Sequence, residues 1–144
     1  MQPAITPVPN MTIAQRNLVR NSIDLLRDYA GPFTLLFYGK LFELDPGARR
    51  LFHNDLAAQG RKLLDMLTSV AESLDDFEAI RPKLADLGRQ HSEYGVRPEQ
   101  YETLTTALLW SVAQALEADF DSATREAWRL VLEAISTAMR AGAQ

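Results

Sequence analysis

Histidine and cysteine, the side chains that most often hold transition metals, are scarce in this 144-residue sequence. The chain has two histidines, His53 and His91, and no cysteine. Two histidines cannot by themselves build a multi-histidine metal site. The lack of cysteine excludes disulfides, thiolate ligation of a metal, iron–sulfur clusters and attachment of a cofactor through a Cys-x-x-Cys-His motif. Each histidine must therefore be judged at its own position in the chain.

His91 closes an apolar stripe formed by Ile80, Leu84 and Leu87, which has the spacing of a helix face. A histidine in such a place is ordinarily a core residue whose ring bonds to a backbone carbonyl. It could also hold a haem iron. That role requires a neutral imidazole projecting into an apolar pocket, with the other ring nitrogen donating to a carbonyl one turn earlier, here that of Leu87. Spacing alone leaves both interpretations open.

Apolar residues recur at threes and fours through most of the chain, and no segment alternates convincingly with period two, so we predict an all-α protein. A capping box formed by Thr12 and Gln15 marks the first helix start. Gly95 is a natural terminator for the helix that bears His91. The predicted helices run from Thr12 to about Tyr29, from 33 to 44 after a break at Gly31 and Pro32, from Pro46 to about Phe52, from Asp55 to 74, from Ile80 to before Gly95, from Pro98 to about Ala118, and from Asp121 to about Ala141.

Length and composition indicate one domain, with 47% hydrophobic residues available for a core. The 15 basic and 19 acidic residues are spread along the chain and give a net charge of −4, which argues against nucleic-acid binding. No apolar run is long enough for a membrane span, and residues 1–10 do not resemble a signal peptide, so we expect a cytoplasmic protein. Residues 1–11, rich in proline, are predicted to form a flexible arm before a domain at 12–144.

Several spaced motifs resemble those of one family. Residues 87–96, LGRQHSEYGV, resemble the proximal-histidine segment of bacterial and neuroglobin-like globins. Residues 37–42, FYGKLF, followed by Pro46 and Phe52, resemble the second and third globin helices, with Phe52 in the place of the haem-stacking phenylalanine. Trp128 and the alanine before it resemble the start of the last helix. The likeness, which is to bacterial single-domain globins and the globin part of flavohaemoglobins, implies a three-over-three globin fold around one haem b held by His91.

The resemblance also implies a distal pocket of Tyr38, Gln59 and Leu63, across the haem from His91. This set differs from the distal histidine of myoglobin and neuroglobin. A Tyr38 hydroxyl and a Gln59 amide are donors that suit a gas gaining negative charge from ferrous iron, so we expect high oxygen affinity and slow release. Taken without the resemblance, Tyr38 would be a core tyrosine bonded to a carbonyl, and Gln59 a solvated helix residue.

Further haem contacts are implied on both sides of the cofactor. Lys62 is placed to pair with a haem propionate, although an exposed lysine is usually only solvated. Tyr101 resembles the tyrosine that flavohaemoglobins link to a glutamate and the haem histidine, but residues 137–144 contain no acid. We therefore expect a weaker electron push onto the iron and little peroxidase-like activity. The remaining implied cofactor contacts are Leu87, Val96 and Leu104.

The implied function is reversible binding of oxygen, nitric oxide or carbon monoxide at ferrous haem. A nitric oxide dioxygenase would need a separate reductase, because the sequence contains no glycine-rich flavin or nicotinamide segment. A haem-based gas sensor acting through a partner, and a haem-free globin-fold interaction module, are the alternatives. With Gln59 in the distal position we expect no protein side chain in the sixth iron position, with Lys62 and Met66 as the alternative ligands and His53 facing solvent.

Overall fold

The structure is a computed structural model, and it describes Val8 and residues 11–52 and 55–144. Within those residues the chain forms six α-helices, three short 3₁₀ helices and no strand. The α-helices are α1 (Ile13–Asp28), α2 (Ala30–Leu44), α3 (Leu56–Glu72), α4 (Arg81–Glu93), α5 (Gln100–Leu116) and α6 (Ser122–Gly142). The 3₁₀ helices are Pro46–Leu51, Phe77–Ala79 and Glu117–Asp119.

Three helices begin where side-chain caps were expected. Thr12 and Gln15 form the predicted capping box: each side chain accepts a hydrogen bond from the other residue's N–H, at 3.1 Å and 2.9 Å. Asp55 caps α3 by accepting from the N–H of Ala57 at 2.9 Å. Asp121 caps α6 by accepting from the N–H of Thr124 at 2.8 Å. Each cap satisfies a donor that the first helical turn leaves free.

Two predicted boundaries were wrong by a few residues. The break between α1 and α2 lies at Tyr29 instead of Gly31 and Pro32, because α2 takes Pro32 into its first turn, where a missing N–H costs no hydrogen bond. Helix α5 begins at Gln100 and not at Pro98. The preceding residues form a turn, in which the N–H of Gln100 donates to the carbonyl of Arg97 at 3.0 Å.

Helix α4, which bears His91, and the last helix, α6, pack so closely that two contact points leave no room for a side chain. A Cβ atom added at Gly88 would lie 1.8 Å from the carbonyl oxygen of Met139. A Cβ atom added at Gly142 would lie 1.8 Å from the carbonyl oxygen of Ala85. Helices α4 and α6 therefore meet backbone to backbone, and glycine is required at both points.

Two residues of the expected N-terminal arm belong to the core. Val8 is 1% exposed and its N–H donates to the carbonyl of Leu74 at 3.2 Å. Met11 is also buried. The prediction of an arm standing away from the domain therefore does not hold at these two positions, and the rest of 1–10 lies outside the described residues.

Candidate functional site

Two cavities, of about 230 and 150 Å³, lie between the helix that bears Gln59 and the helix that bears His91. Four residues line both: Phe52, Gln59, His91 and Leu104. The space between α3 and α4 is therefore open instead of filled by side chains, although protein interiors are generally close-packed.

The structure brings together every residue that the sequence singled out as a contact of the cofactor or of its ligand. The larger cavity is also lined by Tyr38, Lys62, Leu63, Leu87 and Tyr101, and Val96 lines the smaller one. These residues come from α2, α3, α4, α5 and the turns between them, so their convergence is a property of the fold and not of one local motif.

His91 is held in the last turn of α4 by the backbone. The N–H of Val96 donates to the His91 carbonyl at 2.9 Å, and the N–H of Gly95 donates to the Ser92 carbonyl at 3.1 Å. Gly95 has a φ of 101°, which favours glycine. This pattern is the Schellman motif, and it confirms the predicted helix end at Gly95.

The His91 ring is half-buried, and its Nδ1 atom is fully buried without a hydrogen-bond partner in the described part of the chain. Burial lowers the pKa of His91, and the nearby Leu87 carbonyl opposes that shift only partly. The expected Nδ1 bond to that carbonyl does not form with ordinary geometry. A lowered pKa favours the neutral imidazole, which is the form that ligates a metal.

Tyr38 lies in a cluster of aromatic rings on the other side of the space. Its ring centroid is 5.4 Å from that of Phe52 and 6.1 Å from that of Phe42, and those two are 5.7 Å apart. Tyr38 is 5% exposed, and burial raises its pKa to about 12. Its hydroxyl makes no hydrogen bond within residues 11–52 or 55–144, so the carbonyl partner of an ordinary core tyrosine is not found there.

Gln59 and Lys62 lie about one turn apart on α3 and differ in exposure. Gln59 is half-buried and lines both cavities. Lys62 is exposed, lines the larger cavity and makes no ion pair with any described residue. Leu63, next to Lys62, is half-buried and lines the same cavity. His53, predicted to face solvent, lies outside the described residues.

Tyr101 is buried on the side of His91, and its hydroxyl has no hydrogen-bond partner among the residues that the structure describes. Burial raises the pKa of Tyr101, while the positive charge of Arg140 lowers it by less. The side chain that α6 brings near this tyrosine is therefore a cation and not the carboxylate of the flavohaemoglobin pattern.

Sequence reasoning missed the far wall of the larger cavity. Those residues come from α5 and α6, where the same apolar spacing serves the core: Thr105, Leu108, Leu132, Ile135, Ser136 and Met139. It also missed Gln100, whose Nε2 donates to Asp45 Oδ2 at 3.0 Å and ties the start of α5 to the end of α2. The burial of Gln100 depends on the fold and leaves no signal in the sequence.

Neither a membrane-spanning helix nor a cluster of metal-binding side chains is found among the described residues. No helix there is both long and apolar enough to cross a membrane. No group of three or more histidine, aspartate or glutamate side chains is placed there to hold a metal ion.

Comparison with known proteins agrees with this geometry. The globin family model matches residues 35–139, most of the chain. A neuroglobin from Tetraodon nigroviridis is 25% identical over 141 residues, which cover 88% of this chain and 89% of the relative. A flavohemoprotein from Halalkalibacterium halodurans is 27% identical over 124 residues, which cover 84% of this chain but only 30% of that protein.

Among solved structures, an engineered carbene transferase, also described as a candidate nitric oxide dioxygenase from Rhodothermus marinus, superposes with a TM-score of 0.78. Its sequence is 23% identical, and the match covers 89% of each chain. A likeness at this identity shows the fold alone, and the predicted all-α globin fold is thereby confirmed.

Proposed function

Because the chain belongs to the globin family, which implies a haem cofactor, we propose that it holds one haem b through His91 and reversibly binds oxygen and other diatomic gases with high affinity. The observation that carries this proposal is the position of Tyr38, a residue that is 5% exposed and lines the same cavity as His91. Its hydroxyl makes no hydrogen bond with any described residue.

The residues present fit a haem in that space. His91 offers a half-buried imidazole to that space, and the Leu87 carbonyl one turn earlier lies close enough to act on the pKa of the ring. The apolar faces that would contact the cofactor are Phe52, Leu63, Leu87, Val96 and Leu104. Lys62, exposed at the edge of the larger cavity, would pair with a propionate. An apolar lining with a few polar groups is the usual make-up of a cofactor site.

A ferrous haem held by His91 in this space would supply the iron chemistry that binds a diatomic gas reversibly. Tyr38 and Gln59 hold hydrogen-bond donors in the cavity where that gas would lie. With a pKa of about 12, the Tyr38 hydroxyl keeps its proton at neutral pH. Because the hydroxyl has no other partner to give up among the described residues, its hydrogen bond to a gas that gains negative charge would contribute about 1.5 to 3 kcal/mol to the binding free energy. That energy corresponds to about tenfold to a hundredfold stronger retention of the gas.

Removal of the Tyr38 hydroxyl tests this role. We expect oxygen dissociation, measured by stopped flow, to be at least about tenfold faster in Tyr38→Phe than in the unaltered protein. Tyr29→Phe is the matched control, because Tyr29 is 51% exposed and lies outside both cavities. An unchanged oxygen dissociation rate in Tyr38→Phe would show that the hydroxyl does not retain oxygen.

Nitric oxide detoxification is the enzymatic form of the proposal. The similarity to a flavohemoprotein supports it. The chemistry turns over only if oxidised iron is reduced again, so we propose a separate reductase and a cytoplasmic setting, where reductants are abundant. We expect steady nitric oxide consumption when a reductase and oxygen are supplied. Consumption that stops after one equivalent under those conditions would identify a carrier or scavenger instead.

The sixth iron position is proposed to stay free in the gas-free ferrous protein. The two side chains that could bind the iron instead, Lys62 and Met66, both line the larger cavity. A broad visible absorption band in the gas-free ferrous protein supports five coordination. Sharp paired visible bands would show that a side chain has bound.

A further inference from the structure

One side chain at the smaller cavity ties together two segments that are distant in the sequence. Gln100, in the first turn of α5, accepts a hydrogen bond through Oε1 from the N–H of Arg97 at 2.8 Å. Its Nε2 donates to Oδ2 of Asp45, at the end of α2, at 3.0 Å. Gln100 is 9% exposed and Asp45 is half-buried. A side-chain amide that uses both its oxygen and its nitrogen in this way is held in one orientation.

The Arg97 end of this tie continues into the turn that holds His91. The N–H of Val96, the residue before Arg97, donates to the His91 carbonyl at 2.9 Å. Gln100 therefore binds the next N–H along the chain after the one that closes the Schellman motif. Because a planar peptide unit joins Val96 to Arg97, a displacement of Arg97 is passed on to the His91 turn.

The Asp45 end continues into the segment that carries Phe52. The Asp45 carbonyl accepts from the N–H of Ala48 at 2.9 Å at the start of the 3₁₀ helix Pro46–Leu51, and Phe52 caps the end of that helix. Both residues of the tie line the smaller cavity together with Phe52 and His91. Among the described residues, no other side-chain hydrogen bond joins this segment to the turn after His91.

We propose that Gln100 is a positioning residue of the haem site: by tying the turn after His91 to Asp45, it sets the separation between that turn and the Phe52 segment and so slows haem loss. This inference rests on the proposed function. Breaking the tie leaves the Asp45 carboxylate and the Arg97 N–H without these partners in a partly buried place, so the cavity edge must open to water to satisfy them. Contacts that depend on a fixed separation weaken when that edge opens.

Transfer of haem from the ferric haem-loaded protein to excess haem-free myoglobin tests this role, because its rate reports haem loss. We expect haem loss to be about tenfold faster in Gln100→Glu, in which two carboxylates meet where the amide donated to Asp45. Asp45→Ala breaks the same hydrogen bond from the other end without adding a charge, and it should accelerate haem loss by about threefold to tenfold.

Combining Gln100→Glu with Asp45→Asn exchanges the donor and the acceptor of the tie. The amide introduced at position 45 can donate to the carboxylate introduced at position 100, which still accepts from the N–H of Arg97. The double variant also keeps the net charge of the unaltered protein. Its rate of haem loss should therefore return to within about twofold of the unaltered rate.

Asp121→Ala is the matched control for a loss of stability alone. The Asp121 carboxylate also takes part in two hydrogen bonds, accepting from the N–H and the hydroxyl of Thr124 at 2.8 and 2.7 Å. Neither residue lines the two cavities proposed to hold haem. Asp121→Ala should lower the urea midpoint of unfolding and leave the rate of haem loss unchanged.

An unchanged rate of haem loss in Gln100→Glu and Asp45→Ala overturns the proposal, as does a double variant that loses haem as fast as Gln100→Glu. Equal acceleration in Asp121→Ala would show that haem loss follows stability alone, which also overturns it. The Soret band of the unaltered protein separates these outcomes from the proposed function. With the band present they remove only the role of Gln100, whereas without it both proposals are overturned.

Discussion

Two helix crossings flank the space between Gln59 and His91, and they are built differently. On the His91 side, a Cβ at Gly88 would lie 1.8 Å from the Met139 carbonyl oxygen. On the Gln59 side, α2 and α3 cross where a Cβ at Gly60 would lie 2.8 Å from Cγ2 of Thr34. A helix carbonyl cannot move without the helix, whereas a threonine side chain can rotate.

The comparison suggests a division of roles between the two walls. The wall that offers an imidazole is fixed by backbone contact, and the Schellman motif beginning at the His91 carbonyl adds to that. The wall that offers Tyr38 is built from side-chain contacts among aromatic rings. A metal ligand needs a constant position.

Gly88→Ala should have the largest effect of the substitutions that test this comparison. The added methyl group collides with the Met139 carbonyl, so α4 must separate from α6 along its length. We expect the free energy of unfolding to fall by about 3 kcal/mol or more, measured by urea denaturation. Gly39→Ala is the control, since a Cβ there meets nothing within 4 Å. That helical substitution should stabilise the protein by about 0.5 to 1 kcal/mol.

If Gly88→Ala proves as stable as the unaltered protein, the two helices do not meet backbone to backbone. The His91 side of the space would then not be fixed by backbone contact. A loss confined to haem retention, with unchanged stability of the haem-free chain, would also contradict it, because the collision involves no cofactor atom.

Gly60→Ala should have a smaller effect. The new methyl group meets only the Thr34 side chain, whose rotation can relieve the 2.8 Å contact with Cγ2 but not the 3.0 Å contact with Cβ. We expect a loss of about 1 kcal/mol in the same denaturation experiment. Adding Thr34→Ala to Gly60→Ala should recover part of that loss, because the double variant removes Cγ2 and Oγ1 of residue 34 and leaves only the 3.0 Å contact with its Cβ.

A larger loss in Gly60→Ala than in Gly88→Ala would reverse the comparison and make the distal crossing the rigid one. A lack of recovery in the Gly60→Ala, Thr34→Ala double variant would show that the conflict lies in the backbone on this side too.

Local signals predicted much of the fold. Thr12, Asp55 and Asp121 mark helix starts by chemistry that acts within three residues, and Gly95 marks an end in the same way. The family resemblance, not periodicity, brought Tyr38 and Gln59 into one site with His91. Their convergence requires helices distant in sequence to meet.

Other features depend on non-local packing and left no local mark. In the sequence, Gly88 indicates only a poor helix former inside a predicted helix. The structure shows the need for glycine there, because the carbonyl of Met139 lies against it. The prolines around Val8 in the sequence predict a flexible arm. In the structure Val8 is buried, and its N–H donates to the carbonyl of Leu74. The positive charge of Arg140 near Tyr101 likewise depends on how α6 ends against α4.

The central claim is that His91 holds a haem, and the absorption spectrum of the purified protein tests it most directly. We predict an intense Soret band for the unaltered protein and for His53→Ala, which changes the other histidine of the chain. His91→Ala should lose most of that band while its far-ultraviolet circular dichroism stays helical. The absence of a Soret band from the unaltered protein reconstituted with haem, or a full band in a folded His91→Ala variant, would contradict the account.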